Sequence, residues 1–139
     1  MLDETTNLVN LLKDPTLLAT KGYLAGNWVE SEDDSTFDVR NPARGDVIAQ
    51  VSDFSRAQAR KAIEAAGKAQ KAWAALAAKE RSTVLRRWFN LMIENADDLA
   101  TILTAEQGKP LLEAKAEIIY GASFIEFFAE EAKRIYGET

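Results

Sequence analysis

Five residues about three-quarters of the way along the chain, Glu106-Gln107-Gly108-Lys109-Pro110, bring an acid, an amide and a lysine to one point. A glycine followed by a proline two positions later is the stop signal of a helix, whose last carbonyls lack partners and favour a cation, so a structural C-cap accounts for this group on its own. Seven residues further on, Glu117, Tyr120 and Phe124 fall at helical spacing on one face. That face fits an aromatic core stripe with an edge carboxylate better than a ligand channel. Adjacent acids (Asp33-Asp34, Asp97-Asp98, Glu130-Glu131) do not face one another on a helix and are read as solvated surface rather than acid/base pairs. The 139 residues contain no cysteine and no histidine, so the chain has no thiolate nucleophile, no imidazole base and no thiolate or imidazole metal ligand. No Gly-x-Gly-x-x-Gly, Gly-x-x-x-x-Gly-Lys-Ser/Thr or His-Glu-x-x-His run occurs. An enzyme made from this chain alone would work with carboxylates, Lys, Tyr, Ser or Thr.

The elements that must hold these groups are mostly helices. A capping-box pair, Ser55 and Gln58, opens a stretch in which Ala59, Ala62, Ile63, Ala66, Ala69, Trp73 and Leu76 mark one apolar stripe. A second helix begins near Ala78 and runs through Val84, Leu85, Trp88, Phe89, Met92 and Ile93. Asn95 with Asp98 restarts the phase through Leu99, Ile102 and Leu103, and Gly108 and Pro110 end it. The last helix is expected over about Pro110 to Tyr136, with Leu112, Ile118, Ile119, Ala122, Ile125, Phe128, Ala129, Ala132 and Ile135 inward and Gly137 at its end. Trp73, Trp88 and Phe89 read as core.

Ahead of the helices, Tyr23-Leu24-Ala25 and Trp28-Val29 flank Gly26-Asn27, a pair suited to a two-residue hairpin turn. Phe37 and Val39, the turn chemistry of Asn41-Pro42-Ala43-Arg44-Gly45, and Val47, Ala49 and Val51 give a second hairpin. Residues 1–20 read as an arm that packs on something else, with Asp14 capping and Pro15 opening a short turn. The expected class is therefore α+β: an arm (1–20), antiparallel hairpins (21–53) and a helical layer (55–139).

A net charge of −5 argues against a nucleic-acid partner, and pairs such as Arg86-Arg87 read as solvated helix faces. The N-terminus is acidic where a signal peptide is basic, and no apolar run spans a bilayer, so a soluble cytoplasmic protein is expected, with no membrane partner. The last helix carries Ile118, Ile119, Tyr120, Gly121, Phe124, Phe127 and Phe128 around much of its circumference, the pattern of a helix covered on more than one side. Three other helices and two hairpins cannot cover it, so packing partners outside this chain are expected, and the chain by itself should self-associate.

The runs Tyr23 to Val29 and Val39 to Gly45, then Ala62-Ile63, Ala65-Ala66, Trp73 and Glu80-Arg81, resemble the N-terminal part of the aldehyde dehydrogenase superfamily. Glu106 to Leu111, Glu113-Ala114-Lys115 and the stretch from Tyr120 to Thr139 resemble its succinate-semialdehyde dehydrogenases most closely. The resemblance implies an enzyme of several hundred residues that oxidises an aldehyde, succinic semialdehyde by this likeness, to an acid with NAD or NADP through a cysteine thioester. It implies the N-terminal part of an α/β fold and a homodimer or homotetramer. In the family the cysteine, the oxyanion-hole asparagine, the general-base glutamate and the cofactor-binding strands all lie beyond the stretch matched here. No catalytic or cofactor-binding residue is therefore expected in these 139 residues, and the chain alone is expected to bind no cofactor and to be inactive. By the same likeness the face bearing Glu117, Tyr120 and Phe124 borders the aldehyde entrance channel. Val39 and Glu106 stand where some members hold a monovalent cation, with Glu in place of the more common Asp. The competing reading is an independent helical module that uses the uncovered face to grip a partner helix.

Overall fold

A computed structural model describes residues 7–137. Two antiparallel hairpins, β1 (Gly22–Leu24) with β2 (Asn27–Val29) and β3 (Thr36–Arg40) with β4 (Val47–Ser52), precede four helices: α1 (Arg56–Ala75), α2 (Ala78–Glu94), α3 (Ala96–Gln107) and α4 (Leu111–Glu131). The α+β class expected from the sequence is the class observed.

The first hairpin turns one residue earlier than expected. Ala25 and Gly26, at φ 50° and 89°, are the central turn residues, and Leu24 pairs with Asn27. Both positive φ values match the mirror-image turn that suits the strand twist. This register sets Tyr23 opposite Trp28, their rings edge to face at 5.2 Å, a pairing that a Gly26-Asn27 turn would have broken. The second hairpin follows expectation, with Phe37 opposite Val51 and Val39 opposite Ala49. In its turn the Asn41 side chain accepts the Ala43 and Arg44 N–H groups, and Arg44 forks onto both oxygens of Asp46 at 2.9 Å.

The Ser55–Gln58 capping box opens α1 as expected, with both reciprocal bonds formed. The rest of α1 departs from its predicted inward stripe. It is tied at its ends, by Gln58 to the Glu30 carbonyl, by Lys61 to Glu32 and through Arg81 to the Ala74 and Leu76 carbonyls. Between those ties Ile63 is 72% exposed. The described residues offer α1 no face to lie on.

The densest packing joins α4 to α2 and to α3. The α4 side chains buried there are alanines, Ala114, Ala122 and Ala129, each 0% exposed. Of the residues expected inward, Leu112, Ile119, Phe128 and Ile135 are exposed, as is Trp88, while Trp73 and Phe89 are half-buried. Small residues let the helices approach closely, and the large ones are left on the far side. Helix α4 also ends at Glu131, five residues before Tyr136, and Gly137 at φ 70° lies in the segment after it.

The arm packs on the chain's own α3. Leu8 and Leu12 are buried, and the Asp98 carboxylate accepts the Lys13 N–H at 3.1 Å and the Asp14 N–H at 2.8 Å. Asp98, read as solvated, is 4% exposed and joins arm to helix. Asn95, expected to cap α3, instead donates its amide to the Leu91 carbonyl. Asp14 caps its short turn as expected, accepting from Thr16 N–H; residues 1–6 of the arm lie outside the described residues.

Candidate functional site

Helix α4 begins after Pro110, where Gly108 ends α3 at φ 74° in the left-handed region. A Cβ on Gly108 would stand 2.9 Å from Pro42 Cγ, so the β3–β4 turn presses directly on the α3–α4 junction. That contact sets the start of α4 and hence the direction of its side chains.

With 3.6 residues per turn, Glu117, Tyr120, Phe124 and Phe127 fall on the side of α4 opposite Ala114, Ala122 and Ala129. Tyr120 is 64% exposed and Phe124 48%, so the preferred expectation of a core stripe fails for these two. Their rings meet edge to face at 4.9 Å, and Phe127 with Phe128 repeats the arrangement at 5.3 Å. The result is a rigid aromatic surface on a helix whose other side is locked into the bundle. Glu117 shares the surface, and its carboxylate is paired with Lys109, which reaches across the helix start. The lysine of the Glu106–Pro110 run thus does more than face the α3 C-terminus.

The flank of this surface is an ionic clamp. Arg86 of α2 donates to Glu126 at 2.5 Å and to Glu130 at 2.6 Å, with its guanidinium 5.3 Å from the Phe89 ring centre. The hydrogen bonds it donates to Glu126 and then Glu130 raise the Arg86 pKa above its ordinary value. The Glu130 carboxyl is held below the usual range first by Lys133, then by Arg86. Arg86 was read from the sequence as a solvated face; an arginine 40 positions from its acids gives no local signal of that pairing.

Val39 is half-buried in β3 and Glu106 is exposed near the end of α3, on the two segments that meet at Pro42 and Gly108. No group of three or more carboxylates among the described residues could hold a metal ion. The same junction, with the arm, borders an open groove of about 350 Å³ that Thr104 helps to line. The Thr104 hydroxyl is a buried side-chain polar atom with no partner, a state that no local pattern of residue types signals. No described helix is long and apolar enough to cross a membrane.

A fold of hairpins and helices with a one-sided aromatic helix and no nucleophilic thiol is matched by a family model described as the aldehyde dehydrogenase family, over residues 28–139. The chain belongs to that family. It is 60% identical over 128 residues to a glutarate-semialdehyde dehydrogenase of Pseudomonas putida, covering 92% of this chain and 27% of the relative. It is 53% identical to a succinate-semialdehyde dehydrogenase [NADP(+)] of Escherichia coli, over the same shares. Among solved structures, a succinate-semialdehyde dehydrogenase from Burkholderia pseudomallei superposes at a TM-score of 0.89 with 53% identity, covering 92% of this chain and 27% of that one. A betaine aldehyde dehydrogenase from Staphylococcus aureus in complex with NAD+ does so at 0.84 with 31% identity, over 88% and 25%. The chain spans about a quarter of the length of the curated relatives it matches.

Proposed function

We propose that this chain serves as the N-terminal structural segment of an enzyme that oxidises a short semialdehyde, succinic or glutaric, to the dicarboxylic acid with NAD or NADP. Its own contribution is to line the route by which the aldehyde enters, with Tyr120 and Phe124 forming the wall and the Lys109–Glu117 pair at its edge. The observation that carries this reading is family membership combined with high identity to two semialdehyde dehydrogenases. The exposed aromatic surface supports it, since its rings offer apolar contact to the short methylene chain of a semialdehyde, with the Lys109–Glu117 pair at its edge.

With no cysteine in the 139 residues, thioester chemistry belongs to protein outside them, and the purified chain alone is inactive. A nicotinamide dinucleotide does not fit the residues present, which include no glycine-rich run opening a helix to cradle its phosphates. Within the same reading Val39 and Glu106 border a monovalent-cation position, and the complete enzyme is a soluble, cytoplasmic homodimer or homotetramer.

The test is a chimera in which this chain replaces the matched segment of the E. coli relative. Tyr120→Ala and Phe124→Ala raise the KM for succinic semialdehyde about 5-fold or more and leave the KM for NADP within about 2-fold, a difference of about 1 kcal/mol in aldehyde binding. Unchanged aldehyde KM in both variants of an active chimera would overturn the channel assignment.

A further inference from the structure

The Tyr120 and Phe124 rings stand well along α4 from the contacts that fix its start. The Pro42–Gly108 contact and the Lys115–Asp97 ion pair, at 2.6 Å, tie the first turns of the helix to the β3–β4 turn and to α3. Phe124 lies roughly 20 Å along the axis from Leu111, so a tilt of about 5° at the start carries it by nearly 2 Å. In between, α4 rests on its neighbours through Ala114, Ala122 and Ala129. Methyl groups form low ridges, which admit close approach and resist rotation of the helix less than branched side chains do.

One side chain supplies the grip that the methyls lack. Arg86 of α2 reaches Glu126 at 2.5 Å with one guanidinium nitrogen and Glu130 at 2.6 Å with another, so a single planar fork spans two acids a turn apart on α4. Holding points on successive turns fixes both the rotation of the helix and its slide along α2. The fork is itself held, because the Phe89 ring lies under it at 5.3 Å and the other oxygen of Glu130 accepts from Lys133 at 2.8 Å. Among the described residues no other side chain of another element hydrogen-bonds α4 beyond Tyr120. The two acids lie between the alanine side and the aromatic side of the helix, so the clamp flanks the rings. Exposed ion pairs contribute little to stability, which leaves geometry as what this one governs.

We propose that Arg86 is a positioning residue for the aldehyde route, holding the second half of α4 at the rotation that sets the Tyr120 and Phe124 rings along it. The proposal rests on the reading of that side of α4 as the wall of the route. Arg86 does not touch the aldehyde; it acts on the two rings through Glu126 and Glu130. Without the fork the alanine side permits a range of rotations, and the rings meet the aldehyde in more than one position, which weakens its binding. Binding of the dinucleotide, for which this chain has no cradle, stays as it was.

The experiment uses the chimera with the E. coli relative, in which the rest of the enzyme is present. Arg86→Met raises the KM for succinic semialdehyde about 3-fold and leaves the KM for NADP within about 1.5-fold. Arg86→Lys, whose ammonium reaches one acid at a time, gives a smaller rise in the same constant. Because Arg86 acts through the rings, adding Arg86→Met to Tyr120→Ala/Phe124→Ala changes the aldehyde KM no further. Glu126→Gln/Glu130→Gln weakens the same bonds at constant shape and, with Arg86→Lys, carries the test if Arg86→Met does not fold. Effects of Arg86 and of the rings that multiply would place the action of Arg86 elsewhere and overturn the proposal. Clamp variants with the parent aldehyde KM, beside ring variants that raise it, would overturn the proposal and leave the wall standing. Ring variants with the parent aldehyde KM would overturn both.

Discussion

The two sides of α4 invert the usual order of a surface helix. Its buried side is lined by alanines at 114, 122 and 129, and its exposed side carries Tyr120, Phe124, Phe127 and Phe128. In an isolated domain the large apolar side chains would be buried, because burial of a phenylalanine stabilises by roughly 2–3 kcal/mol against under 1 for an alanine methyl. The small side fixes the close approach of α2 and α3. The large side contributes little to that packing and is available for contact with other protein or with substrate. One side of the helix therefore holds the fold, and the other is left open to contact.

The first way to break this comparison is to crowd the small side. Ala122→Leu places a branched side chain where none fits and lowers stability by about 3 kcal/mol, measured by urea denaturation. An effect under about 0.5 kcal/mol would show that the interhelical contact is loose. Asp98→Ala strips two N–H groups of their acceptor and costs about 2 kcal/mol, with amide exchange at Lys13 and Asp14 accelerating first. Gly108→Ala combines a left-handed φ with a clash on Pro42 and costs about 1–2 kcal/mol, and it shifts the start of α4. On the large side, Phe124→Ser changes stability of the chain by less than about 0.5 kcal/mol.

The smallest effect is that of pH. The carboxyls of Asp97, lowered first by Lys115 and then by Lys13, and of Glu130 have native pKa values below their unfolded ones. Their stabilisation is complete above the unfolded value and is lost as pH falls through the native one. With no histidine, stability is level from about pH 6 to 9 and declines below about pH 5, by thermal melting. A midpoint near neutrality would contradict this assignment of groups.

The helices and both hairpins were legible in the sequence because caps and periodicity are local: the Ser55–Gln58 box and the Gly108 stop are where they were expected. Sidedness was less legible. A helix apolar around most of its circumference does not announce which side meets its neighbours, and Ala122 beside Phe128 on paper gives no reason to bury the smaller. Long-range pairings were not legible at all. Arg86 with Glu126 and Glu130, and Asp98 with the arm, join residues 40 and more positions apart. The resemblance to aldehyde dehydrogenases set Glu117, Tyr120 and Phe124 beside an entrance channel, where spacing alone favoured a core stripe; their exposure departs from the core stripe.

Sedimentation velocity of the chain, beside the triple variant Tyr120→Ser/Phe124→Ser/Phe128→Ser, tests the division of α4 most directly. The parent chain is expected to associate with rising micromolar concentration, and the variant to remain a 15.4 kDa monomer with an unchanged melting transition. A variant that unfolds, or one that associates as strongly as the parent, would contradict the assignment of one side to folding and the other to contact.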